Sequence, residues 1–181
     1  MDFVRTRDLL DALAIQSALE AFAARLAARR GISAAQGALL RHYVGAMEEA
    51  ALSFGSLSLE ILDRYADTSR RFHELMFCLA ASSVLARHDA EDFVSPYLLF
   101  AARTVTQPPA EALRDFMRVE QDQHRALVDA IVQRHGARAE ALAREHARFN
   151  QSFLALWADG MRAMVVARTP PRHEAEPVAA K

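Results

Sequence analysis

Asp8-Leu-Leu-Asp-Ala-Leu-Ala-Ile-Gln-Ser-Ala-Leu-Glu-Ala-Phe-Ala-Ala-Arg-Leu-Ala-Ala-Arg-Arg30 runs straight into Gly31, and Ser33-Ala-Ala-Gln36 follows two residues later. The run holds neither glycine nor proline, and it is built from alanine, leucine, arginine and glutamate, all strong helix formers. Leu9, Leu10, Leu13, Ile15, Leu19, Phe22 and Leu26 recur at helical spacing and mark an apolar stripe. Gly31 ends the helix, because glycine accepts the left-handed conformation that closes a helix C-terminus. Ser33 and Gln36 have the spacing of a capping box, in which each side chain bonds the other residue's backbone N–H. The expected opening is therefore a helix from about Asp8 to Arg30 and a second to about Leu52.

The same signals recur along the chain. Phe54-Gly55-Ser56 breaks the second helix, and a third runs from Leu59 to about Ala81. Ser82 to Arg87 either extends it or forms a short separate turn. Asp89-Ala-Glu-Asp92 reads as the acidic first turn of another helix reaching Val105, with Pro96 either in its first turn or at a kink. Thr106-Gln-Pro-Pro109 punctuates the chain before a helix from Ala110 to His135, a stop at Gly136, and a last helix from Ala137 to Arg168. Thr169-Pro-Pro171 ends that helix and leaves residues 169–181 as a loose tail. No stretch alternates with period two, so no sheet is expected. The fold class is all-α: one domain over residues 1–168, an antiparallel bundle of six or seven helices.

Composition narrows the function classes. Hydrophobic residues make up 52% and charged residues 25% of the 181, which suits a folded domain and excludes a disordered one. No apolar run approaches the roughly 18 residues of a membrane span. The N-terminal residues lack the build of a secretory signal. A lone cysteine, Cys78, cannot form an internal disulfide and fits a reducing cytoplasm. It reads as an inert buried thiol. A net charge of −1 excludes a free-standing basic nucleic-acid surface.

Chemistry concentrates in histidines on apolar helix faces. His73 shares a face with Ser69, Met76, Phe77 and Ala80; His124 with Leu127, Val128 and Ile131; His146 with Leu142, Phe149, Asn150 and Phe153. A single inward histidine is commonly a core residue bonded to a carbonyl. Three of them on separate helices cost free energy unless each finds a partner, and one metal ion would satisfy all three. Neutral imidazole favours zinc, nickel or copper. The remaining histidines point elsewhere: His135 to a helix C-terminus, His88 to a helix start or loop, His173 to the tail, and His42 in no clear direction. A ferritin-like di-iron centre needs Glu-x-x-His, and no histidine here has glutamate three residues before it. Neither a phosphate loop nor HExxH occurs.

Several segments resemble one family. Asp8-Leu-Leu-Asp-Ala-Leu, Ala18-Leu-Glu20 and Ala24-Arg-Leu-Ala-Ala28 are similar to the opening of the FCD domain, the ligand-binding domain of FadR-type regulators in the GntR superfamily. Arg71-Phe-His73 is similar to that family's Phe-His signature. His124-Arg-Ala-Leu-Val-Asp-Ala-Ile131 and Gly136-Ala-Arg-Ala-Glu-Ala-Leu-Ala-Arg-Glu-His146 resemble its later segments. The likeness spans about Val4 to Trp157. It implies a helical, dimerising domain in a cytoplasmic regulator that senses small metabolites. Many members hold a divalent metal through one aspartate and three histidines, with an effector carboxylate completing the coordination.

Carried over by position, the three histidines are His73, His124 and His146, the same three that face inward. The aspartate position, four residues before His73, holds Ser69. Asp67 cannot replace it, since two residues turn a helix by about 200°. The expected site is thus three imidazoles plus water or effector, with zinc or nickel as the favoured divalent metal, and with Ser69 and Asn150 lining the effector pocket. The partners expected are a small carboxylate metabolite and a second copy of the chain. The winged helix-turn-helix of such regulators is not in this sequence, so DNA would be reached only through another domain. Three alternatives stand beside this reading. One is the same domain with a metal-free pocket; one is a metal-dependent hydrolase using Glu120, one turn before His124, as base; the last is a purely structural dimerisation module.

Overall fold

The computed structural model describes residues 6–52, 59–85 and 110–168. These form five helices: α1 (Thr6–Arg30), α2 (Ala34–Leu52), α3 (Leu59–Leu79), α4 (Ala110–Val132) and α5 (Gly136–Arg168). Among the described residues there is no strand. The all-α expectation holds. The helix expected over 89–105 and the tail from 169 lie outside the described residues.

The punctuation between α1 and α2 works as the sequence implies. Gly31 takes φ +81°, and its N–H returns to the Ala27 carbonyl at 3.0 Å. Gln36 N donates to Ser33 Oγ at 3.2 Å, and Ser33 N donates to Gln36 Oε1 at 2.7 Å, so both arms of the capping box are made. At the other stops the residues differ from expectation. The left-handed residue that ends α4 is Arg134, at φ 63°, and Gly136 instead begins α5. Gly136 is needed for closeness. A Cβ there would stand 2.7 Å from Arg29 Cγ and 3.4 Å from the Arg25 carbonyl oxygen on α1. Similarly, α3 ends at Leu79 rather than Ala81, because Ala81 itself turns left-handed at φ 48°.

The core has two textures. α1 packs along α5 through small residues: Ala21, Ala24, Ala27 and Ala28 face inward on one side, Ala139, Ala143 and Ala147 on the other, all buried. Arg25 clips the rim by pairing with Glu140 at 3.1 Å. The apolar stripe expected on α1 is therefore partly misplaced. Ile15 is 55% and Phe22 45% exposed, because Phe22 lies about 200° round the helix from Ala24. Small side chains win the inward face because they let two helix backbones approach closely. Elsewhere, large side chains fill the interior: Leu40 and Met47 from α2, Tyr65, Phe72 and Met76 from α3, Met117, Leu127 and Ile131 from α4.

Candidate metal centre

Four helices deliver polar side chains to one point in this interior. α3 places Tyr65, Ser69 and His73 one above another, since residues four apart share a helix face. α4 places Glu120 one turn before His124, and α5 places His146 one turn before Asn150. α1 adds Glu20. Tyr65, Ser69, Glu20, Glu120, Gln121, His124 and His146 are all buried, and His124 is without solvent contact.

The three imidazoles meet. One nitrogen from each of His73, His124 and His146 lies within 4.8 Å of the other two. The ring centroids are 5.6 Å (His73–His124), 5.7 Å (His73–His146) and 4.4 Å (His124–His146) apart. Phe72 packs on His124 at 4.8 Å and closes that side with an apolar ring.

Neighbouring groups determine which nitrogen of His146 is free to bind. Its Nδ1 is 3.1 Å from Gln123 Oε1, an acceptor, so Nδ1 carries the proton. Nε2 then keeps its lone pair, which meets the Asn150 amide nitrogen at 3.2 Å. Behind that amide stands Glu120, whose Oε1 is 3.4 Å from Asn150 Nδ2 and 3.9 Å from His146 Nε2. Tyr65 Oη donates to Glu120 Oε2 at 2.5 Å, and Gln121 Nε2 donates to Tyr65 Oη at 2.5 Å. Beyond His73, Glu20 Oε1 lies 3.4 Å from Nδ1, without the alignment of a hydrogen bond. Gln16 holds that carboxylate by donating to Oε1 at 2.8 Å.

Burial governs the protonation of the cluster. It pulls His146 down to about 3, with His73 adding a smaller push in the same direction. His124 falls well below the ordinary imidazole range, first through burial and then through His146 and His73. Both rings are therefore neutral near pH 7, the form that ligates metals. Burial pushes Glu120 up, opposed by the Tyr65 hydroxyl, His73 and the Asn150 amide. Tyr65 is held protonated by burial and by the adjacent Glu120.

The residues fit a bound cation. Five buried polar atoms here lack any hydrogen-bond partner: His73 Nδ1, both nitrogens of His124, Gln121 Oε1 and Asn150 Oδ1. Each such atom costs roughly 1–3 kcal/mol, a cost that a cation bound among the rings would offset. The charge points the same way. Two carboxylates, Glu20 and Glu120, are buried beside the rings, and no arginine or lysine is buried among the described residues.

Other expected positions separate cleanly. Ser69 is buried one turn before His73, and Asn150 is half-buried one turn after His146. Asp67 turns outward to pair with Arg70 at 2.6 Å and Arg71 at 2.8 Å, in keeping with its rotation away from Ser69. Cys78 is exposed, not the buried thiol that its helix suggested, because it lies about 140° round α3 from His73. His42 and His135 are exposed and apart from the site; His88 and His173 lie outside the described residues. Sequence reasoning missed Glu20, Tyr65, Gln121 and Gln123 as neighbours of the rings. For Glu20 and Tyr65 the signal available was polar residues recurring every fourth position, Gln16-Glu20 and Tyr65-Ser69-His73; Gln121 and Gln123 carried none.

A family model, the FCD domain, matches residues 11–149. No curated protein matches the chain. No described helix is long and apolar enough to cross a membrane. The match contains all three converging histidines and spans most of the sequence, so the chain belongs to the FCD domain family, the FadR C-terminal domain of GntR-family regulators.

Proposed function

We propose that this domain senses a small organic acid through a divalent metal held by His73, His124 and His146, within a dimeric cytoplasmic regulator. The observation that carries the reading is His124: a fully buried imidazole, facing two others, with neither nitrogen bonded. Gln123 supports it from behind, since its grip on His146 Nδ1 directs Nε2 inward as outer-sphere partners of metal ligands do. Glu20 lies near His73 Nδ1, at 3.4 Å and without a hydrogen bond. When bound, zinc or nickel would supply a Lewis-acidic position open to a carboxylate oxygen.

The chain's own groups would then select the ligand. Asn150 offers an unbonded amide oxygen, and Ser69 a hydroxyl, one turn from a ring each. Both suit an acid that also carries a hydroxyl or amine. A metal-free pocket is less well supported, since it would set the effector's carboxylate against Glu20 and Glu120 with no buried cation among the described residues. The exposed Ile15 and Phe22 on α1 favour a second copy as partner for that face. Effector binding would act by differential affinity for two packings of the bundle, altering the dimer and any DNA-reading heads joined to it.

The test is metal analysis of the purified chain, followed by calorimetry with a panel of small carboxylates. Metal near one equivalent is expected, with carboxylate binding that depends on it. The H73A/H124A double variant should lose both. Unchanged metal content or carboxylate binding in that variant would refute the reading.

A further inference from the structure

A divalent ion among three neutral imidazoles keeps its full charge in a buried site unless an anion stands beside it. On α3 the position one turn before His73 is Ser69, whose hydroxyl brings no charge. On α4 the position one turn before His124 is Glu120, buried and only 2% exposed. Two donors sharing one ion at about 2.1 Å each stand ~3.4 Å apart in a tetrahedral set. Glu120 Oε1 is 3.9 Å from His146 Nε2 but lies outside the 4.8 Å grouping of the three histidine nitrogens, so the carboxylate joins the set by moving inward when the ion binds.

The carboxylate is also aimed. Tyr65 grips Oε2 at 2.5 Å, and Gln121 in turn fixes the Tyr65 hydroxyl. Oε1, on the side of His146, has only the long 3.4 Å contact to the Asn150 amide. That same amide caps the lone pair of His146 Nε2. An ion taking the place of the amide would meet the nitrogen and the oxygen together. Glu20 does not compete for this role. Its Oε1 is engaged by Gln16 and faces the Nδ1 side of His73, the place of a carboxylate that orients a ring.

We propose that Glu120 is a fourth protein ligand of the three-histidine centre and that Tyr65 is the positioning residue that aims it. This rests on the metal reading above. The carboxylate–imidazole pair one turn apart thus sits on α4, where α3 has only serine and histidine.

The experiment is a zinc titration against a chromophoric chelator, with a parallel cobalt(II) titration read by visible absorption, on the natural chain and on E120Q, E120D, E20Q and H124A. E120Q should weaken zinc by more than about 100-fold, beyond the roughly 10–100-fold of outer-sphere changes, and E20Q by about 10-fold. E120Q and E120D should each alter the cobalt spectrum, while E20Q leaves its band positions in place. Should E120Q fail to fold by circular dichroism, E120D carries the test, and an unaltered cobalt spectrum overturns the proposal. Natural zinc affinity in E120Q, alongside its loss in H124A, would also remove Glu120 while leaving the three-histidine site intact. A natural chain that takes up no metal would overturn both.

Discussion

The seam between α1 and α5 and the cluster among α3, α4 and α5 are parts of one interior built to opposite specifications. In the seam, Ala24, Ala27, Ala139 and Ala143 bury apolar carbon with no polar side-chain atom to satisfy, and Gly136 lets the backbones close. In the cluster, the same α5 carries His146 and Asn150 a turn or two onward, and the same α1 carries Glu20 just ahead of its alanines. There five buried polar atoms go unbonded. One region holds the bundle together. The other carries a free-energy cost that the proposed metal would relieve.

The largest way to break this contrast is to overfill the seam. Ala139 is fully buried, beside Gly136 and one residue before the Glu140 that pairs with Arg25. Ala139→Leu should cost about 3 kcal/mol in urea unfolding, since extra methylenes in a tight interface force the helices apart. Metal affinity of the folded fraction should be unchanged. A variant as stable as the natural chain would show that the seam is loosely packed.

A smaller effect should come from acid, and it belongs to the cluster. The folded state holds His146 near 3, whereas the unfolded chain takes up that proton near 6.5. The unfolded state therefore binds more protons between those values, and stability falls as pH drops below about 6.5 toward 3. From pH 7 to pH 5, His146 alone should cost about 2 kcal/mol in the presence of chelator. His124, shifted in the same direction, adds to the loss. A urea midpoint equal at both pH values would show that these rings are not buried neutral.

The smallest effect sharpens the comparison by its sign. His124→Leu removes two unbonded nitrogens and keeps a side chain of similar bulk. It should stabilise the metal-free chain by about 1 kcal/mol while abolishing metal uptake. A destabilised variant would mean that His124 is already satisfied without a ligand.

How far the site was legible follows from the same contrast. His73, His124 and His146 stand out in the sequence because an imidazole among Leu127, Val128 and Ile131, or between Leu142 and Phe149, breaks an apolar face. Tyr65, Gln121 and Gln123 do not stand out so plainly, since each lies among charged or polar neighbours where a solvated position is the ordinary reading. Glu20, though flanked by Leu19 and Ala21, reads as a single acidic residue on a helix surface. The α1 stripe misled for a related reason. Hydrophobicity ranks Ile15 and Phe22 above alanine, but the seam selects for smallness, and smallness leaves no mark on an apolar scale.

Local rules sufficed for the helices and the turn between α1 and α2. Capping by Ser33 and Gln36, the left-handed Gly31 and the helical period all act within a few residues, and the chain states them directly. Tertiary packing alone decided which faces met: that alanines rather than Phe22 turn inward, that Gly136 serves closeness rather than a stop, and that Glu120 reaches the ring of His146 on another helix. Those outcomes depend on the rotation and separation of whole helices. Such quantities are sums over many contacts between distant residues, and no single stretch of the chain contains them.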